Sequence, residues 1–420
     1  MQNKTITLKE ILVLNAYWFG LSFMWNSLHV IILPAILLFL VPDNQKNTYL
    51  GLLTFGGLVI AMIVQPISGA ISDRWISKWG RRRPLILTGT MVDFIFLAFL
   101  GWSGGLIWVA IGYIGLQFSS NIAHGPMQGL LPDIVPRKQL GWASGFKNLM
   151  DMSGLVISAL LMGRLLIPDT RYPIMAIAIV AVFLAVGMVF TLIGVKEKPT
   201  ISSEYQGTSF AVGKVFRLDM HNHAEFVWLI ASRLFYLIGI YGVQSFAQYY
   251  IRDVLVVANP IQLTGDLLAA LTLALITFAL LGGRLGDRYG HWRICQIASV
   301  ISTIGCLSLV WARTPIQLLV YGSLLGIGIG LFITSNWALA NQLAPIAEAG
   351  KFLGLTNLAT AGAAALGRLL GPLIDLLNNS RPGEWYGYIG LFVLGALFIF
   401  LNAILLLKVT KRRSLLPANA

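Results

Sequence analysis

Polar side chains that recur at helical spacing inside apolar runs are the chemistry this sequence offers. Gln117, Asn121, His124 and Gln128 stand at i, i+4, i+7 and i+11, on one face of a helix. Asn15, Ser22, Asn26 and His29 share another face, with Trp25 beside them. Further stripes are Ser144, Lys147, Asp151 and Ser158; Arg233, Tyr241, Gln244 and Gln248; Thr334, Trp337 and Asn341; and Asn357, Thr360 and Arg368. Amides and imidazoles interleaved with Trp25, Tyr241 and Trp337 suit a sugar. Its hydroxyls need many donors and acceptors, and its apolar ring face packs on an aromatic. Three embedded cations (Lys147, Arg233, Arg368) face two embedded acids (Asp93, Asp151), which leaves room for an anionic sugar such as a uronide. Asp151 is the candidate proton-coupling carboxylate, with His124 near it on a neighbouring element, since imidazole titrates in the physiological range.

The competing role for such groups is helix-to-helix hydrogen bonding, at about 0.6 kcal/mol each. For single Ser, Thr and Asn residues that role outweighs substrate contact. An unpaired charge at the membrane midplane costs at least about 2.5 kcal/mol, so for charges the balance reverses. Lys147 and Asp151, four residues apart, can pair within their own helix. Arg233 and Arg368 have no such local partner. Asp93, about 15 Å into its segment at 1.5 Å per residue, reads as a packing contact to the second apolar segment. Enzyme chemistry has little to draw on: His221 and His223 form the one close pair among five histidines, in a loop with no nearby cysteine. Cys295 and Cys306 lie in one apolar run and give neither a bridge nor a metal site. No enzymatic activity, cofactor or metal is expected.

The elements that hold these stripes follow from composition. Of 420 residues 57% are hydrophobic and 11% charged, less than half the roughly 25% charge of a soluble domain. That excludes a soluble enzyme, a disordered scaffold and a secreted disulfide module, and it permits a protein whose outer surface is lipid. At roughly 35 residues per span and connection, the chain holds about twelve spans. They are read at 11–40, 48–71, 84–103, 105–131, 142–167, 173–195, 226–250, 262–283, 294–312, 315–343, 352–377 and 386–408. The first run, Ile11 to Leu40, is too long for a cleavable signal and lacks a small-residue cleavage site, so it is expected to stay as a span. With both termini inside, and with Lys408 and Arg164 at the span rims counted on their own sides, 21 of the 30 Lys and Arg fall inside and six outside. This satisfies the positive-inside rule for cytoplasmic termini, and a plasma (inner) membrane location is expected. The net charge of +13 is then a topology signal. Dispersal over short loops removes the motive for nucleic-acid binding.

The longest stretch without a span, 196–225, divides the chain into an N-terminal six-span bundle (1–195) and a C-terminal one (226–420), and reads as a cytoplasmic linker. The halves repeat. Gly69-Ala-Ile-Ser-Asp73-Arg74 recurs as Gly283-Arg-Leu-Gly-Asp287-Arg288, and Pro136, Gly141, Gly145 and Asn148 recur as Pro345, Gly350, Gly354 and Asn357. Two six-span repeats in one orientation are a transporter arrangement.

Asp73-Arg74 after the second span, then Gly80 and Arg81-Arg82-Arg83, resembles the signature of the major facilitator superfamily. Five residues separate Asp73-Arg74 from Gly80, which is similar to the glycoside–pentoside–hexuronide symporters and the related sucrose transporters. Gly125-Pro126, Gln128, Leu130-Leu131 and Asp133 also look like the sucrose-transporter pattern. The resemblance implies an all-α membrane protein whose 12 transmembrane helices form two parallel six-helix repeats, the major facilitator fold. It implies a central cavity lined by spans 1, 4, 5, 7, 10 and 11, where the polar stripes lie, together with 2 and 8. It also implies that Asp73, Arg74, Arg81, Arg82, Asp287 and Arg288 act as conformational latches. Sodium-coupled members carry acids in the second span, absent from Gly51 to Gln65, and the sucrose transporters carry an Asp where Gln117 stands. The coupling ion is therefore read from the chain's own Asp151.

The resulting expectation is a secondary transporter that moves a sugar or glycoside by alternating access, coupled to H+ or uncoupled, with Na+ as the other candidate ion. The expected substrate-binding residues are Trp25, Asn26, His29, Gln117, Asn121, His124, Lys147, Arg233, Tyr241, Gln244, Trp337, Asn341 and Arg368. The partners expected are the small-molecule substrate and the lipid bilayer, with the chain a monomer. An exporter of another organic solute or drug, or a non-transporting receptor or assembly factor on the same fold, are the alternatives.

Overall fold

The computed structural model describes residues 5–102, 104–167, 171–195, 197, 223–345 and 349–410. Its long elements are α1 (Leu8–Leu37), α2 (Lys46–Asp73), α3 (Arg83–Trp102), α4 (Leu106–Ile134), α5 (Leu140–Leu165) and α6 (Ile174–Gly194). They continue as α7 (Ala224–Tyr250), α8 (Pro260–Tyr289), α9 (His291–Ser308), α10 (Pro315–Leu343), α11 (Ala349–Arg368), α12 (Gly371–Ser380) and α13 (Tyr386–Thr410). The eleventh span is thus α11 and α12 in succession. Pro372, in the first turn of α12, has no N–H to continue the helix before it. Apart from Glu197 and residues 223–225, the expected linker lies outside the described residues, as does His221.

Starts are set by local chemistry. Thr7 and Glu10 form a capping box on α1: the Glu10 N–H donates to Thr7 Oγ1 at 3.3 Å and the Thr7 N–H to Glu10 Oε2 at 2.9 Å. Asn259 caps α8 and Thr314 caps α10, each ahead of a first-turn proline. Two helices widen into π turns, Ser27–Ile32 within α1 and Ile251–Leu255 at the end of α7. The first precedes Pro34, which cannot donate to the turn before it.

Among the described residues, eleven helical segments are long and apolar enough to cross a membrane. The twelfth expected span, α5, is as long as its neighbours but carries Lys147, Asn148 and Asp151 in mid-course. Ile193 at 76% exposure and Leu280 at 72% show apolar side chains turned outward, as a lipid-facing surface requires. The chain is an integral membrane protein.

Two compact units emerge, Met1–Val41 with Gly56–Phe210, and Pro42–Phe55 with Ala211–Ala420. In the first, α1 packs on α5 and α6, and α3 packs on α4 and α6. In the second, α7 packs on α11 and α13, α9 on α10 and α13, and α8 on α10. The pairings of spans 1, 3, 4, 5 and 6 therefore recur among spans 7, 9, 10, 11 and 12, the internal repeat expressed as packing. Small residues make the contacts close. A Cβ on Gly326 would lie 2.3 Å from the Leu271 carbonyl oxygen, and one on Gly154 would lie 2.6 Å from that of Phe19. Not every glycine does this: among the described residues nothing lies within 4 Å of a Cβ placed on Gly141 or Gly145. Residues 42–55 belong to the second unit although they precede most of the first in sequence.

Candidate functional site

In the first unit the stripes of α1 and α4 meet. Tyr113, one turn before Gln117, is the hub: its hydroxyl lies 2.9 Å from His29 Nε2 and accepts from Gln117 Nε2 at 2.7 Å. Asn121 Nδ2 donates to the Gln117 carbonyl at 2.7 Å. Trp25 stacks on His29, with ring centroids 5.1 Å apart. Asn26 Nδ2 donates to the Ser22 carbonyl at 2.8 Å. The α5 stripe joins through Ser22 Oγ, which donates to the Asp151 backbone carbonyl at 2.6 Å. Among the described residues no ion pair within 4 Å joins Lys147 to Asp151. The ammonium instead sits 4.0 Å from the centre of the Trp18 ring, and that ring meets His124 edge to face with centroids 5.1 Å apart. Lys147, Trp18 and His124 thus form one chain of contacts beside Asp151.

In the second unit Arg233 is the centre. It is 6% exposed. Its Nε donates to Thr360 Oγ1 at 3.0 Å and its Nη1 to Asn336 Oδ1 at 2.7 Å, while the guanidinium lies 5.5 Å from the Trp337 ring. Among the described residues no carboxylate pairs with it within 4 Å. Tyr241 and Gln244 are half-buried on the same helix. Arg368 donates to the Ala364 carbonyl one turn back at 2.6 Å. Asn341 is exposed and bonds the Trp337 carbonyl of its own helix, outside the Arg233 group.

The loop between α2 and α3 gathers a third cluster. Arg82, 6% exposed, pairs with Asp73 at 2.5 Å and Asp133 at 3.0 Å, and donates to Ser72 Oγ at 2.5 Å. Arg81 pairs with Asp133 at 2.7 Å. Glu197 accepts from the Arg82 and Arg83 backbone N–H groups at the start of α3, where a helix favours an anion. The matching residues of the second half stand apart. Asp287 is 81% exposed with His291 at 3.3 Å, and Arg288 lies over Tyr289. Arg74 is exposed. Asp93 meets α4 rather than the second span: it accepts from Ser119 Oγ and is fully buried.

Tyr113, Asn336, Asp133 and Glu197 were not among the expected site residues. Tyr113 continues the 117–121–124 stripe one turn earlier, so periodicity alone could have found it. Asn336 sits one position off the 334–337–341 face, and Glu197 acts across more than a hundred residues, which no local pattern signals.

These features define a multi-span transporter with polar groups clustered within each unit. The chain belongs to the Major Facilitator Superfamily, whose family model matches residues 16–367 and again 258–420. It is similar to a multi-drug resistance efflux pump PmrA homolog of Lactococcus lactis, 24% identical over 96% of this chain and 95% of that protein. It is also similar to the sucrose transport protein SUT1 of Oryza sativa, 32% identical over 24% of this chain and 23% of that one. A bacterial homolog of the human lysosomal transporter Spinster, solved in an inward-facing and occupied conformation, shares the fold at a TM-score of 0.75 and 14% identity, over 96% of each chain.

Proposed function

We propose that the chain is a secondary transporter of a polar, hydroxyl-rich solute, a sugar or glycoside with an anionic member such as a uronide. The observation that carries this reading is Arg233, a buried cation held by neutral oxygens and an aromatic face. A fixed guanidinium left without a carboxylate suits a solute that brings one, because a bidentate Arg–carboxylate pair satisfies both. The His29–Tyr113–Gln117 group with Trp25 supplies the neutral donors, acceptors and ring face that hydroxyls and a pyranose call for. Transport is by alternating access in a plasma membrane with both termini cytoplasmic, the chain acting as a monomer, and Asp151 is the coupling carboxylate.

Likeness to efflux pumps along nearly the whole chain favours a second reading, export of an organic solute or drug. The two differ in the charge they welcome, since a cationic drug gains nothing from Arg233. A thermal-shift screen of purified protein separates them, with glucosides, disaccharides, uronides and lipophilic cations at two pH values, with and without sodium. A uronide should raise the Tm of the wild type and lose at least about tenfold in affinity in Arg233→Gln, one carboxylate contact being worth about 1.4 kcal/mol or more. A shift with lipophilic cations alone, unchanged in Arg233→Gln, would support the drug reading.

A further inference from the structure

At the ends of α7 and α9 and the start of α13, the second unit encloses a cavity of about 340 Å³ whose lining shares no residue with the polar groups described above. Arg233 lies about 25 Å back along α7 at 1.5 Å per residue. The volume is that of a small-molecule pocket, for which about 300–1,000 Å³ is usual. Tyr250, Trp385, Tyr388 and Phe392 form an aromatic wall. Tyr250 meets Tyr388 and Phe392 edge to face, with centroids 5.8 and 4.8 Å apart. Both tyrosine hydroxyls are already bonded within the protein: Tyr250 donates to the Leu309 carbonyl at 2.9 Å and Tyr388 to Asp253 Oδ2 at 2.6 Å. What these two residues offer a ligand is therefore their rings.

Arg313 and Glu384 add one charge of each sign to the lining, and both are exposed. Among the described residues no carboxylate pairs with Arg313 within 4 Å. Glu384 meets Arg381 at 3.8 Å, an exposed pair of little worth. Trp385 stands at φ +55°, a left-handed conformation that a bulky residue rarely adopts. Its carbonyl accepts from the Tyr388 N–H at 3.1 Å and the Ile389 N–H at 3.4 Å, so the first turn of α13 fixes the strained residue in the cavity wall. Strain kept at such a position points to a task for the ring.

Depth in the bilayer identifies the source of the ligand. Trp311 at 64% exposure and Ile316 at 74% flank Arg313 in sequence, and Tyr386 is exposed beside Trp385. Exposed Trp and Tyr at the ends of spans mark the headgroup level. A simple ion would leave one of the two lining charges unmet, whereas a headgroup with both signs meets each.

We propose that this cavity binds the headgroup of a zwitterionic phospholipid, with its phosphate on Arg313 and its ammonium against the Trp385 and Tyr388 rings and the Glu384 carboxylate. A guanidinium matches phosphate in geometry, and an ammonium is attracted to aromatic faces. Val254, Val310 and Ile389 give apolar lining to the glycerol ester beyond it.

Native mass spectrometry of the delipidated full chain in detergent reads this binding. Phosphatidylethanolamine should be held at least about tenfold more tightly than phosphatidylglycerol, which lacks the ammonium. Arg313→Gln and Glu384→Gln change exposed side chains, and Trp385→Leu keeps apolar bulk while removing the aromatic face. Each should weaken phosphatidylethanolamine binding at least about tenfold. Arg381→Gln, beside Glu384 but outside the lining, should not weaken it. Glycerophosphoethanolamine, the same headgroup without chains, should compete at least about tenfold more weakly than the lipid because it has no chains to bury. Binding left unchanged by the three lining variants, equal binding of phosphatidylglycerol, or a chain-free headgroup that binds as tightly as the lipid would overturn the site. Displacement of the lipid by glucuronate would also overturn it, by giving the cavity to a soluble solute. No flux is measured, so the outcome is independent of what the chain transports.

Discussion

A guanidinium buried in a bilayer protein is costly unless something takes its charge, and Arg233 is met by Thr360, Asn336 and the Trp337 ring. The same economy governs Glu197 at the head of α3, though with the opposite sign of charge. Burial lifts its carboxyl above the ordinary value, while the backbone N–H groups of Arg82, Arg83 and Arg81 pull it down by less. A carboxyl raised in the folded state contributes stability that is complete below its unfolded value, near 4.5, and is lost as pH rises through the raised one. Glu197→Gln should therefore flatten the fall of Tm with pH just above that point, measured by thermal unfolding in detergent between pH 4 and 7. An identical slope in the variant would remove Glu197 from the account. Residues such as Arg233 and Asp151 were legible in the sequence because charge inside an apolar run is rare. Glu197 was not, because a charge in a loop is common and only the fold reveals what it touches.

Helices here are positioned by side-chain size as much as by polarity. The polar faces of α1 and α4 were readable from i, i+4 and i+7 spacing, and their meeting at Tyr113 follows from that period. The close contacts were only half readable, since glycine marks both a tight crossing and an open face. Gly326 lies against the Leu271 carbonyl, whereas Gly145 faces open space. Gly326→Ala should cost about 1–3 kcal/mol as overpacking, read as a lowered unfolding midpoint. Gly145→Ala should leave it level or raise it by up to about 1 kcal/mol through helix propensity. Equal effects at the two positions would contradict the packing described for α8 and α10. The π turns and the break between α11 and α12 escaped the sequence reading, because an apolar run continues through them and Pro34 and Pro372 indicate only that something must give.

At the scale of the molecule, the internal repeat was written in the Asp-Arg pairs and in the matched glycines after spans 4 and 10, and it returns as matched helix packing in the two units. The repeat is not carried into chemistry. The Asp73 end is a paired network and the Asp287 end is exposed. The first unit's polar group is built of neutral side chains around Tyr113, and the second's around a cation. Residues 42–55 fall with the second unit, where a buried ion pair and close backbone contacts hold them. The central claim is the proposed solute with an acidic group, which rests on the Arg233 group of the second unit. Flux in proteoliposomes tests it most directly, with a labelled uronide outside, an inward proton gradient, and wild type beside Asp151→Asn. The account predicts saturable uphill accumulation in the wild type, and in Asp151→Asn exchange without accumulation. No uronide flux in the wild type, together with gradient-driven movement of a lipophilic cation, would contradict it.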